Sequence, residues 1–207
     1  MHPIRALIQQ GEHEQLDFKQ EISSAVKIAK TMVSFANHKG GRLLVGIRDN
    51  GAVAGVRTED EKYMLETASG FYCKPEIHLE IREWELDGKL VLEAIVPNGT
   101  NKPYLALGED KKWWAYIRVK DKSLLASKVV VDVLRRAQSN ADVFIPYGHN
   151  EKSLIDYLKK NERITIQGFC KLVNISRRRA NRILVKLIGA GVIRSHQTEK
   201  IEHYTLS

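Results

Sequence analysis

Residues 176–188 hold the densest set of side chains able to read a charged polymer. Arg177, Arg178 and Arg179 stand in a row, followed by Asn181, Arg182 and Lys186. Arginine offers a bidentate fork to guanine, asparagine pairs bidentately with adenine, and arginine and lysine neutralise phosphates. Such chemistry needs a helix that shows these groups on one side. The same segment supplies the other side, with Ala180, Ile183, Leu184, Leu187 and Ile188 at helical spacing. Ser176 is placed to cap its start, and Gly189 and Gly191 end it. A solvated basic surface and a protein-interaction face are the competing readings.

A second stretch, Lys111-Lys-Trp-Trp-Ala-Tyr116, mixes cations with aromatic rings. Aromatic platforms stack unpaired bases in single-strand binders, and half-buried strands use the same residues for packing. The seven histidines show no metal-ligand spacing. Cys73 and Cys170 form neither a disulfide framework nor a zinc pattern, and read as small apolar residues of a reducing compartment. No Gly-x-Ser-x-Gly motif is present.

The recognition segment belongs to an ordered run of elements. Helices are expected at 151–160, 165–173 and 176–188, with a turn at 174–176 and a closing hairpin at 192–197 and 201–206. Three helices and a terminal hairpin is the order of a winged helix-turn-helix. Upstream, the pattern predicts strands at 16–18, 43–47, 53–56, 77–86, 90–96 and 114–119, and helices at 25–36, 59–72 and 128–136. Asp49-Asn50-Gly51 is expected to form a type I′ turn, and Asp87-Gly88 a second hairpin. Irregular mixing of strands and helices argues for an α+β fold with a mixed sheet. Pro146 and Gly148 punctuate the chain, so the domains are set at 1–145 and 146–207 with a linker near 146–150.

Charge divides the same way. The whole chain of 207 residues carries +8, and its pI is near 9.4. Residues 147–207 hold 12 basic and 5 acidic side chains, a net +7, which leaves +1 for the rest. A segregated basic segment is the footprint of a phosphate-backbone partner. No apolar run approaches the roughly 18 residues of a membrane span, and the first residues have no signal-peptide h-region. The expectation is a cytoplasmic protein with no membrane partner.

Glu12-His-Glu-Gln-Leu-Asp-Phe-Lys19 and Ser34-Phe-Ala-Asn-His-Lys-Gly-Gly-Arg-Leu-Leu-Val-Gly-Ile-Arg-Asp-Asn-Gly51 together resemble the Schlafen AlbA-type domain. Lys102-Pro-Tyr104 and Tyr116-Ile-Arg118 also sit where that family tends to have them. The resemblance covers about 12–127. It implies a DNA-binding module of a bacterial transcriptional regulator, often followed by a helix-turn-helix. Their charge alone marks Lys19, Arg42, Arg48, Lys102 and Arg118 as expected nucleic-acid contacts beside the α-helical set, and a homodimer on paired half-sites is expected. The resemblance also implies an alternative: a divalent-metal-dependent nuclease acting on RNA or single-stranded DNA. Glu12, Asp17 and Asp49 match the family's acidic positions, with Asp17 where Glu is usual. They would hold Mg²⁺ or Mn²⁺, and Lys19 would stabilise the phosphate. Their bland readings are surface carboxylates and a turn residue. An ATP site is not expected, because His38-Lys-Gly-Gly-Arg-Leu lacks the phosphate-binding loop pattern.

Overall fold

Residues 2–56, 59–138 and 148–207 are described by the structure, a computed structural model. They fall into two units, Met1–Leu125 and Ala126–Ser207. The expected boundary at 145/146 lies outside the described residues.

In the first unit, alternation along each strand decides which face is buried. The elements run α1 (Pro3–Ile8), β1 (Leu16–Lys19), α2 (Ala25–Asn37), β2 (Gly41–Val45), α3 (Asp60–Phe71), β3 (Cys73–Lys74), β4 (Glu80–Leu86), β5 (Lys89–Val96), β6 (Leu105–Leu107), β7 (Trp113–Val119) and β8 (Lys122–Leu125). One sheet has the order β1-β2-β5-β4, with β1 parallel to β2 and the other pairs antiparallel. The other has the order β3-β6-β7-β8 and is antiparallel.

Helix α2 lies in the main core. Leu43 and Val45 of β2, Leu92, Ala94 and Val96 of β5, and Ala106 of β6 join its Met32, Val33 and Phe35 there. Leu16, Phe18 and Leu44 point the other way, into a second cluster with Ile4 of α1. Period-two alternation therefore turns Asp17, between Leu16 and Phe18, away from that second cluster.

Several local readings meet a different outcome. Residues 53–56 form no strand; a single bridge joins Val53 to Ile47. At 48–51 the Gly51 N–H donates to the Arg48 carbonyl at 2.8 Å, and only Gly51 has positive φ (81°). That is not a type I′ turn, which needs positive φ at both central residues. Asp87 and Gly88 do satisfy it, at φ 56° and 69°. Helix α1 was not expected, although Pro3 at its first position is a start signal; the His2 side chain caps it by accepting the Ile4 N–H.

The second unit holds α4 (Lys128–Arg136), α5 (His149–Lys160), α6 (Ile166–Leu172), α7 (Arg177–Gly189) and an antiparallel hairpin of β9 (Ile193–Gln197) and β10 (Glu202–Leu206). Leu154, Leu158, Phe169, Ala180, Leu184, Leu187, Ile193 and Tyr204 build its core. Ile164 exchanges backbone hydrogen bonds with Tyr204 at 3.0 and 2.8 Å, which adds a third extended piece to the hairpin. Helix α4, assigned by sequence to the first domain, packs here: Val129 and Val133 join this core. Its Ser127 cap donates to Glu202 of β10 at 2.9 Å.

Cys73 is a small buried core group, and Cys170 is half-buried. Cys73 is buried beside the Ala29 carbonyl, and burial pushes its thiol up to about 12. In the native chain at pH 8, an aromatic disulfide reagent is expected to titrate Cys170 readily and leave Cys73 unmodified until denaturant is added. Two fast thiols in the native protein would contradict this burial.

Candidate nucleic-acid interface

Helix α7 is built two-sided. The Ser176 hydroxyl accepts the Arg179 N–H at 3.3 Å, which fixes the helix start. Ala180, Ile183, Leu184, Val185 and Leu187 are buried, while Arg177, Arg178, Arg179 and Arg182 are exposed and Lys186 is half-buried. Three of the cations therefore occupy the first turn, where orphan N–H groups already favour an anion.

Asn181 departs from its expected role. It is buried, and its amide donates to Asp132 of α4 at 2.8 Å. An asparagine used in this way holds two helices together and offers nothing to a base edge. Asp132 is also paired with Lys128 at 3.1 Å and Arg135 at 3.6 Å. Lys128 lines one groove with Arg177, Arg178 and Arg182, so α4 adds a cation beside α7. Sequence reading missed it because the domain boundary had been drawn after α4.

The carboxylates of the first unit do not gather. Among the described residues no group of three His, Cys, Asp or Glu is placed to hold a metal. Each acid has another partner or place. Glu12 accepts the Phe18 N–H at 2.8 Å, which satisfies the outer edge of β1. Asp17 is buried against Arg118, with Oδ1 2.8 Å from its guanidinium, and Lys19 lies 2.5 Å from Oδ2. Asp49 is exposed on the 48–51 turn. A buried arginine and a part-exposed lysine thus neutralise Asp17 where a divalent ion would have to bind. The expected Mg²⁺ or Mn²⁺ ligand set does not fit this arrangement, and Lys19, paired with Asp17, donates its hydrogen bond to the Phe18 carbonyl at 2.7 Å.

Arg118 is likewise no surface contact. Its side chain is 1% exposed. Besides Asp17 it donates to the carbonyls of His13 at 3.3 Å and Leu16 at 3.4 Å and to Ser123 at 3.2 Å. Its guanidinium lies over the Phe35 ring, 4.7 Å from the centroid. Ser123 continues the network to Ser34 of α2 at 2.8 Å. A polar chain therefore ties β1, α2, β7 and β8 together.

The other expected contacts divide. Arg48 is exposed. Arg42 pairs with the buried Glu93 at 2.7 Å, and the Trp84 indole donates to the same carboxylate at 2.9 Å. Lys102 donates to the His38 carbonyl, and partial burial lowers its pKa. The Phe-Ala-Asn stretch proves structural too. Asn37 donates to the carbonyls of Tyr104 at 2.8 Å and Tyr116 at 2.9 Å and accepts the Tyr104 N–H at 2.7 Å.

Among the described residues no helix is long and apolar enough to cross a membrane. Residues 12–127 match the family described as Schlafen, AlbA_2. No curated protein matches the chain in sequence. Among solved structures, the DIP2311 protein of Corynebacterium diphtheriae is similar at 22% identity and a TM-score of 0.47. That match covers 62% of this chain and 29% of the other. The N-terminal domain of an ATP-dependent DNA helicase RecG-related protein of Nitrosomonas europaea is similar at 23% identity and a TM-score of 0.43, over 61% of this chain and 95% of that one. With more than half of its residues inside the matched span, the chain belongs to the Schlafen AlbA_2 family.

Proposed function

We propose that this is a DNA-binding transcriptional regulator whose second unit is a winged helix-turn-helix. Helix α7 enters the major groove of duplex DNA, with α5 and α6 bracing it and the β9–β10 hairpin as the wing. One observation carries the reading: Arg177, Arg178, Arg179 and Arg182 are exposed on a helix whose opposite side is buried. Arg177 and Arg178 at the helix start suit base-edge contact, since recognition helices dock by their N-terminal residues. Arg179, Arg182 and Lys186 serve the phosphates, and Lys128 of α4 extends the basic surface. Membership of the Schlafen AlbA_2 family supports nucleic acid as the ligand class. A homodimer would present two α7 helices to paired half-sites.

The test is duplex binding by the full chain across a salt series. The unmodified protein is expected to weaken steeply as salt rises, because neutralised phosphates release counterions. The Arg178→Ala/Arg182→Ala variant is expected to bind roughly 10- to 100-fold more weakly, with the log–log salt slope lowered by roughly 1 for the phosphate contact of Arg182. A slope near zero for the unmodified chain, or equal affinity in the variant, would sink the reading.

A further inference from the structure

The Lys111–Tyr116 stretch takes no part in the duplex reading, and its placement in the fold gives it another use. Strand alternation puts Trp113 and Trp114 on opposite faces of the β3-β6-β7-β8 sheet. The face bearing Cys73, Ala106 and Tyr116 packs on α2. The other bears Trp113, with Leu107 and Leu105 beside it on β6 and Lys74 on β3. Neither leucine belongs to any of the core clusters. Trp114 is pinned, since its indole N–H donates to Asp110 at 3.1 Å. Trp113 is 37% exposed, and Lys74 lies over its ring, 5.8 Å from the centroid.

Acidic side chains beside this sheet lie in its turns, at Glu109, Asp110 and Asp121, and none lies in its strands β3, β6, β7 and β8. Lys74 and Lys122 are exposed at the two outer strands, and Lys111 and Lys112 are exposed just before Trp113. A sheet face with a part-exposed indole and nearby lysines matches the needs of a single strand. Its bases offer free π-faces for stacking, and its phosphates lie within reach of lysines. Duplex DNA does not suit it, because paired bases are already stacked.

We propose that this sheet face binds single-stranded nucleic acid, with Trp113 stacking an unpaired base and Lys74 and Lys112 meeting its phosphates. The site is independent of α7, so it stands or falls apart from the duplex reading.

The experiment titrates the full chain with a short oligothymidylate, an oligouridylate and an abasic oligomer of equal charge. Anisotropy of labelled oligomers is the readout. Trp113→Ala is expected to weaken binding of the base-bearing oligomers roughly 5- to 100-fold, the usual effect of losing one stacked base. Trp113→Phe is expected to keep most of it, and the unmodified chain should bind the abasic oligomer as weakly as Trp113→Ala binds the thymidylate. Duplex affinity and thermal midpoint should stay unchanged in Trp113→Ala, while Arg178→Ala/Arg182→Ala should retain the single strand. The proposal is overturned by any of three results: no oligomer binding, equal binding in Trp113→Ala, or abasic binding as tight as thymidylate binding. An equal loss in Trp113→Phe, or a lowered midpoint in both Trp113 variants, would also overturn it by pointing to packing.

Discussion

Arg118→Met is expected to destabilise the Schlafen-type unit by about 3–5 kcal/mol, the usual cost of removing one partner of a buried ion pair. Asp17 then stays buried with Lys19 as its remaining cation, and the carbonyls of His13 and Leu16 lose a donor. Asp17→Asn in the same chain should recover part of the loss, because it removes the uncompensated charge. The measurement is a urea titration followed by tryptophan fluorescence. All three tryptophans, Trp84, Trp113 and Trp114, lie within Met1–Leu125, so the signal reports that unit alone. A surface arginine serving nucleic acid would behave differently: Arg118→Met would leave the midpoint in place and weaken binding. A shift under about 1 kcal/mol would match an exposed pair and sink the assignment of this network to the core.

Asn37→Ala comes next in size, at about 3 kcal/mol. The substitution strands a buried N–H and two carbonyls at once, and no water-filled space is needed to see why that is costly. Asn37 is 5% exposed and joins α2 to the residue before β6 and to the middle of β7. Asn37→Asp keeps the acceptor for the Tyr104 N–H but sets a carboxylate against two carbonyl oxygens, so it should be no milder. The same fluorescence titration reads both variants. A loss below about 1 kcal/mol in Asn37→Ala would mean that these groups find other partners, and the three-way clip would have to be given up.

Together these results would separate scaffold from interface inside the family's own motifs. Glu12 seals the edge of β1, Asp17 and Arg118 lock two sheets, and Asn37 fastens β6 and β7 to α2. A residue pattern shared across a family is equally compatible with a reaction and with a fold, and here the described geometry favours the fold. The motif residues Asp17 and Arg118 are joined to each other in the described geometry, at 2.8 Å.

Local chemistry was legible in the chain itself. Thr165 and Ser176 sit at helix starts, and each accepts an N–H three residues on. The apolar spacing of 176–188 fixed both the helix and its buried side, because a period near 3.6 leaves only one consistent face. Alternation in Leu16-Asp-Phe-Lys19 likewise set Asp17 opposite its neighbours. What alternation cannot supply is the group waiting on the other side. Asp17 and Arg118 lie 101 positions apart, and Asn181 and Asp132 lie 49 apart. Periodicity names a face and is silent about its partner, so a polar residue on a buried face reads the same as one aimed at a ligand. Tertiary packing decided those partners, and with them which cations remain free to meet a phosphate.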